Sequence, residues 1–272
     1  MATGQDFQPT GSISFGRIFA RAFGAIRANP VTILGLAFVF VALPGLLVAP
    51  LMQNYSRAIV TPEGQMIGAS TGFMASGASG FGALLVWLLT YAIAQGAIVR
   101  ATAAYGEGRT EAFGPAATAG LRVALPLIGL NILFGLAVGF ASLFLVVPGI
   151  ILAIMWAVAL PARAVEPIGV IAAFGRSRTL TRGARWTIFG FAVVLVLILL
   201  ALGMVVGIGA IATGGLPDAA AASAFPIGTT ILNAITSTLS TAIVAALHAS
   251  LYMELREWKE GPQSARIAEI FA

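Results

Sequence analysis

The residues best suited to chemistry in this sequence are four arginines that fall close together between two apolar stretches. They are Arg176, Arg178, Arg182 and Arg185. In one continuous helix, the last three would share a face at spacings of four and seven residues. Arginine presents a planar fork of N–H donors that binds phosphate through two hydrogen bonds. The cluster therefore predicts a phosphate or lipid-headgroup site, and the alternative is that its charge only determines membrane orientation.

The other ionisable residues give no pattern for catalysis or metal binding. Glu166 follows Pro161 and lies among arginines, which predicts an ion pair that locks this part of the chain. His248 is the single histidine, and one histidine cannot form a zinc site of the usual composition. The absence of cysteine excludes disulfides and thiolate metal sites. We expect no catalytic residue, no metal site and no cofactor.

Three polar side chains lie inside long apolar stretches, namely Gln95, Asn131 and Asn233. In a membrane, such amides typically form hydrogen bonds between helices. The alternative is that they line a cavity for a substrate. Coupled transporters usually place a charged side chain within the membrane, and no charged residue falls near the middle of an apolar stretch here.

The elements that carry these residues follow from composition. The chain has 272 residues, of which 59% are hydrophobic and 9% charged, whereas soluble domains carry about 25% charge. Because one span needs about 20 apolar residues, the uncharged stretches predict an all-α membrane protein with six transmembrane helices. The predicted spans are 31–52, 81–101, 123–143, 147–164, 186–212 and 228–252, in a single membrane domain that covers residues 1–272.

The positive charges predict the orientation of these spans. Fourteen of the fifteen lysine and arginine residues lie at one side of the six-span arrangement, and only Arg57 lies at the other. Cytoplasmic segments carry such an excess, so both termini are expected on the cytoplasmic side of the membrane. Residues 254–272 form the predicted cytoplasmic tail. The same distribution makes nucleic-acid binding a poor explanation of the net charge of +5.

A basic segment precedes each pair of spans. The first covers residues 12–28, where Ile18, Ala22 and Ile26 follow helical spacing and Asn29-Pro30 breaks the helix. The second is 113–122, and the third is 168–185. This pattern predicts three hairpins, each preceded by an amphipathic helix at the cytoplasmic interface. Two GxxxG patterns, at 135–139 and 203–207, favour close helix crossing, and Pro148-Gly149 predicts a turn or a helix start.

Three blocks of the sequence resemble a known family, the bacterial six-helix membrane domain named after glycerophosphoryl diester phosphodiesterases. They are the first surface segment with Asn29-Pro30, the block from Val146-Val-Pro-Gly-Ile150 through Glu166 and Arg176 to Trp186, and the ending Tyr252 to Gly261. The resemblance implies a six-span domain. Some family members carry a soluble phosphodiesterase domain that uses histidines, carboxylates and a divalent cation. A chain with one histidine cannot supply that set, so we expect no such activity here.

Together with the resemblance to a bacterial family, these observations predict a non-catalytic protein of the bacterial inner membrane that binds lipid headgroups or supports membrane homeostasis as an accessory. Membrane lipids are the expected partners, and a protein partner or homo-oligomer stays open. Two other functions stay open as well. One is a transporter or permease for a small molecule, which needs a cavity lined by Gln95, Asn131 and Asn233. The other is a lipid-modifying membrane enzyme, which needs a carboxylate within reach of His248.

Overall fold

A computed structural model of the chain describes residues 13–47, 72–212 and 227–261. Within these ranges the backbone is helical apart from short connections, and it contains no strand. The helices are α1 (Phe15–Ala28), α2 (Pro30–Leu47), α3 (Gly72–Gly106), α4 (Phe113–Phe144), α5 (Val146–Met155), α6 (Ala159–Val165), α7 (Val170–Thr181), α8 (Arg185–Ala212) and α9 (Ile227–Glu260). Residue 12, residues 48–52 of the first predicted span, Arg57, and residues 262–272 of the predicted tail lie outside the described residues.

Six segments of the described chain are long and apolar enough to cross a membrane. They are Pro30–Leu47, Phe81–Gly106, Phe113–Phe144, Val146–Val165, Arg185–Gly209 and Thr230–Glu260. The described residues thus confirm the prediction of an all-helical fold with six helices able to span a membrane, which is the composition of a multi-pass membrane protein.

Three helices, α3, α4 and α9, extend well beyond their predicted spans, and α3 covers Gly72–Gly106 rather than 81–101. The segment 113–122, predicted as a separate surface helix, is the first part of α4 in the structure. Its Pro115 lies in the first helical turn, where the missing N–H would have no partner in any case, so nothing separates it from the span. At the other end, α9 continues to Glu260 rather than ending near residue 252. It stops where Gly261 adopts a positive φ of 78°.

The span Val146–Val165 is broken into α5 and α6 by a turn at residues 156–158, which the sequence pattern did not predict. A break inside a membrane requires other partners for the freed backbone groups. Ser177 and Thr181 of α7 supply them, because both hydroxyls donate to the carbonyl oxygen of Met155, at 3.0 and 3.1 Å. Ser177 also accepts from the Val158 N–H at 3.3 Å.

Proline explains two further features of the spans. Pro148 lies in the first turn of α5, so Pro148-Gly149 marks a helix start rather than a turn. In α2, a π-helical turn at Phe38–Ala42 comes just before Pro44. Because a proline ring clashes with the carbonyl group four residues earlier, the wider π turn relieves this contact without ending the helix.

Helices α3 and α4 approach closely at glycine. A Cβ atom on Gly120 would lie 2.4 Å from the carbonyl oxygen of Ile93 and 2.9 Å from the backbone nitrogen of Ala97. The predicted role of the two GxxxG patterns is wrong for the described packing, because their glycines face open space. Those glycines are Gly135, Gly139, Gly203 and Gly207.

Two large clusters of buried residues hold the bundle together. One joins α1, α7, α8 and α9 around Phe191, Leu247 and Tyr252. The other joins α1, α2, α3, α4 and α9 around Leu36 and Ile98. The short helices α1 and α7 therefore contribute to the core and are not loosely attached segments. Asn29, between α1 and α2, donates its side-chain amide to the carbonyl oxygen of Glu111 at 2.5 Å, which ties the Asn-Pro break to the segment before α4.

Candidate functional site

The arginine cluster lies where α7 ends and α8 begins. The helix ends at Thr181, Arg182 has an extended backbone, and Gly183 has a φ of 90°. The shared helical face expected for Arg178, Arg182 and Arg185 is therefore not formed. The helix ends here because Gly183 adopts, with little strain, the left-handed conformation that ends many helices. The three side chains are instead distributed over the end of α7, the connection and the first residue of α8.

Arg176 differs from the other three because it points into an ion-pair network. Its Nε lies 3.0 Å from both carboxylate oxygens of Glu166, and it also pairs with Glu260 near the end of α9. The Tyr252 hydroxyl donates to the same Glu166 carboxylate at 2.5 Å. Partial burial lowers the pKa of Arg176, but the hydrogen bonds that it donates to Glu260 and Glu166 outweigh burial and leave that pKa raised. Arg176 therefore stays charged and joins α7, α6 and α9.

The remaining three arginines are exposed to the surroundings. No acidic side chain in the described ranges pairs with Arg178, Arg182 or Arg185. Next to them, Trp186 is 86% exposed. Tryptophan is enriched where membrane and water meet, so this position at the start of a span is typical of an interfacial side chain. The group forms a positive surface beside the first turn of α8, and we call Arg178, Arg182 and Arg185 the arginine surface.

The last turns of α9 hold three carboxylates whose partners the sequence pattern did not predict. Glu254 accepts hydrogen bonds from Arg17, the shortest of 2.5 Å, and from the Ser14 backbone N–H at 3.0 Å. Glu257 accepts from Arg21 at 3.0 Å, and Glu260 pairs with Arg176. The hydrogen bond to Glu254 raises the pKa of Arg17. The available signal was the spacing of three glutamates three residues apart on one face of a helix.

A cavity of about 560 Å³ lies between α8 and the rest of the bundle. Its wall is formed by parts of α3, α4, α5, α6, α8 and α9, and most of the side chains in it are aliphatic or aromatic. No carboxylate lines it among the described residues. The polar side chains in the wall include Gln95, Asn131 and His248. Asn233 does not line this cavity and is exposed on α9.

The polar groups of the wall keep some hydrogen-bonding capacity for a ligand. Gln95 donates its amide N–H to the Tyr91 hydroxyl at 2.9 Å, which leaves its carbonyl oxygen as an acceptor. The Nδ1 of His248 lies 2.8 Å from the carbonyl oxygen of Val244, so Nδ1 is the donor and Nε2 remains available. The side chain of Asn131 makes no hydrogen bond within the described chain. The wall therefore combines an apolar surface with a few polar groups, as ligand pockets commonly do.

Comparison with protein families places most of these features in one known domain. Residues 110–255 match the model of a domain of unknown function, DUF7847. The chain belongs to this family. No curated protein and no solved structure matches the chain. The match carries no information on the resemblance to the membrane domain named after glycerophosphoryl diester phosphodiesterases, which stays a prediction.

The DUF7847 region contains the arginine surface, the network of Arg176, Glu166 and Tyr252, and most of the cavity wall. It begins before α4 and ends within α9, so α1, α2 and α3 lie outside it. Gln95 and Tyr91 are accordingly contributed to the cavity from outside the family region. Because α1 and α3 pack against α9 and α4, they complete the fold around the DUF7847 region.

Proposed function

We propose that this chain is a non-catalytic protein of the bacterial inner membrane that binds anionic lipid headgroups through its arginine surface. The observation that carries the proposal is the contrast among the arginines. Arg17, Arg21 and Arg176 are held by carboxylates of the chain, whereas Arg178, Arg182 and Arg185 are exposed and have no acidic partner in the described residues. Basic side chains at a membrane surface attract anionic lipids, by about 1 kcal/mol each.

The proposed orientation places both termini in the cytoplasm, which brings the arginine surface to the leaflet where anionic lipids concentrate. The excess of lysine and arginine at that end of the spans supports it. In this orientation, α2 with α3, α4 with α5 and α6, and α8 with α9 form three hairpins. Helices α1 and α7 then lie at the cytoplasmic interface before the first and third hairpins, and the start of α4 takes that place before the second.

The structure of α1 supports an interfacial position. Ile18, Ala22 and Ala25 are buried against the bundle, and Phe23 on another side is 46% exposed. A helix in the interface needs an apolar contact and a basic side that faces headgroups. The exposed Arg27 at the end of α1 fits that requirement.

The test is lipid retention by a variant with Arg178→Gln, Arg182→Gln and Arg185→Gln. Arg176 is left unchanged because it holds the fold. The control variant removes three positive charges elsewhere, with Arg109→Gln, Arg122→Gln and Lys259→Gln, so both variants have the same net charge. Native mass spectrometry in mild detergent reports bound lipid and stoichiometry together.

We expect the affinity for phosphatidylglycerol to fall on the order of 100-fold in the arginine-surface variant, since three contacts of about 1 kcal/mol are lost. The control variant should retain most of the lipid. Rising salt should release lipid from the unmodified protein, because exposed charges are screened. Equal retention in all three proteins, or an equal loss in both variants, would refute a local headgroup site.

The cavity favours one second function, the passage of a small molecule. Two of the three amides expected for a permease, Gln95 and Asn131, do lie in its wall. Because the chain has no cysteine, Asn131→Cys gives a single thiol for labelling with a membrane-impermeant maleimide. If the protein transports a small molecule through the cavity, the thiol should be labelled from either side of sealed vesicles as the protein alternates between two states. Lipid binding requires that the thiol stays protected from both aqueous sides.

A further inference from the structure

We propose that the cavity beside α8 holds one acyl chain of an anionic phospholipid, whose phosphate is bound by Arg185 and its neighbours in the arginine surface. The inference rests on the proposed function and deepens it. It assigns the ligand to lipid of the surrounding bilayer and gives its chain a binding site of its own.

The position of Arg185 relative to the cavity carries the first step. Arg185 is the first residue of α8, and Ile188, Phe189, Ala192 and Val196 of the same helix line the cavity. These residues follow Arg185 by three, four, seven and eleven positions, which places all five on one stripe of the helix. The stripe therefore begins with a guanidinium group and continues with apolar side chains, in the order that a lipid presents its phosphate and its chain.

The length of the cavity fits one leaflet of a bilayer. On α8 the lining residues extend from Ile188 to Leu197, which corresponds to about 14 Å at a rise of 1.5 Å per residue. Half of a hydrocarbon core of about 30 Å is 15 Å. A chain that enters beside Arg185 can thus extend to about the middle of the bilayer within the cavity.

The cavity opens toward the bilayer between α5 and α8. Five of its lining residues remain substantially exposed, at 37% to 59%. They are Ile150 on α5 and Phe189, Val193, Val196 and Leu197 on α8. Among the six spans, α8 has the smallest buried share, 11% of its most apolar window. A chain can therefore enter sideways from the leaflet without crossing a polar barrier.

The chemistry of the wall supports a lipid chain over a water-soluble solute. The volume of about 560 Å³ lies within the usual range of ligand pockets, about 300–1,000 Å³. Aliphatic and aromatic side chains gain dispersion contacts from a chain and none from empty space.

The experiment uses photo-crosslinking of the full chain in lipid nanodiscs. The probe is phosphatidylglycerol with a diazirine in one acyl chain, and crosslinked peptides are mapped by mass spectrometry. The blocking variant is Ala192→Trp, which fills the cavity from α8, and Ala153→Phe fills it from α5 as an independent second variant. The matched control is Leu200→Trp, because Leu200 is 54% exposed on α8 and does not line the cavity.

We expect crosslinks to concentrate at residues 150–157 and 188–197. Each blocking variant should reduce them about tenfold, a ratio that displacement of two buried methylene groups already produces. Leu200→Trp should leave them unchanged. A phosphatidylcholine probe should label less, and the Arg185→Gln variant should lose the preference between the two probes. Excess inorganic phosphate should not displace the label, since it provides no chain for the cavity.

The outcomes separate this inference from the proposed function. Crosslinks spread evenly over exposed positions of all spans, and unchanged by Ala192→Trp and Ala153→Phe, would overturn the chain site. The headgroup site would still stand if the triple arginine variant loses phosphatidylglycerol. Localised crosslinks with no preference for phosphatidylglycerol would overturn the role of Arg185. Displacement by inorganic phosphate alone would show that the arginines bind free phosphate.

Discussion

Tyr252 on α9 offers the sharpest test of how the cytoplasmic end of the bundle is held together. Its side chain is fully buried, and its hydroxyl donates to the Glu166 carboxylate at 2.5 Å. The Tyr252→Phe substitution removes this hydrogen bond and little else, because the ring stays in place. Since Glu166 precedes α7 and is also bound by Arg176, the substitution weakens the attachment of α7 to α9.

The expected loss follows from the partners that remain. A hydrogen bond to a charged group contributes about 1.5–3 kcal/mol. After the substitution, Glu166 still accepts two N–H groups of Arg176, at 3.0 and 2.8 Å, so the carboxylate is not left without partners. We therefore expect the lower part of the range, about 1.5–2 kcal/mol, or a fall in Tm of about 3–8 °C for a chain of this size.

The measurement is thermal unfolding of the purified protein in mild detergent. Size-exclusion chromatography after heating gives the fraction that stays folded at each temperature. The matched control is Tyr105→Phe, because the Tyr105 hydroxyl makes no hydrogen bond in the described residues. It should change Tm little. A double-mutant cycle with Glu166→Ala isolates the pair, and the cost of Tyr252→Phe should be at least about 1 kcal/mol smaller in that background.

Two results would refute the reasoning about Tyr252. One is a Tm for Tyr252→Phe that equals that of Tyr105→Phe, since the hydroxyl would then contribute nothing specific. The other is an unchanged cost in the Glu166→Ala background, because the hydrogen bond would then have a different acceptor or none.

Two further predictions concern helix contacts. Gly120→Ala should destabilise the protein by about 1–3 kcal/mol, because its Cβ would lie 2.4 Å from a backbone oxygen of α3 and the helices must separate; Gly129→Ala, which faces open space, should be neutral or stabilising. Asn29→Ala should cost about 0.5–1.5 kcal/mol by removing the hydrogen bond to the Glu111 carbonyl. Asn233→Ala, at an exposed site, should leave the stability unchanged. Thermal unfolding in detergent measures all four, and equal effects within either pair would contradict the contact assigned.

The six spans could be predicted from sequence because a span depends on composition over about 20 residues, whatever its neighbours are. The uncharged stretch from Val123 to Ala162 is long enough for two helices, and α4 and α5 do meet at Leu145 within it. Helix ends were harder to place. The start of α4 was missed because proline and glycine in a first helical turn are tolerated, so a pattern that normally ends helices did not do so here.

The partners of the polar residues could not be predicted for a different reason. Glu254 and Arg17 are 237 positions apart, and only the packing of α1 against α9 brings them together. From the sequence alone, Arg176 is therefore equivalent to Arg178, although Arg176 lies in an ion-pair network and Arg178 is exposed. The break between α5 and α6 could not be predicted for the same reason, because the residues that stabilise it, Ser177 and Thr181, lie on another helix.

The distribution of charge at this end of the bundle links the fold to the proposed lipid site. The carboxylates of Glu254, Glu257 and Glu260 all lie on the last turns of α9, and they neutralise arginines of α1 and α7. These arginines are thereby neutralised, whereas the arginine surface, Arg27 and Arg122 stay exposed with no acidic partner in the described residues. Of these exposed charges, the arginine surface is the one at the start of α8, the helix that lines the cavity. An anionic lipid bound there can place its phosphate at the arginines and its chain in the apolar cavity.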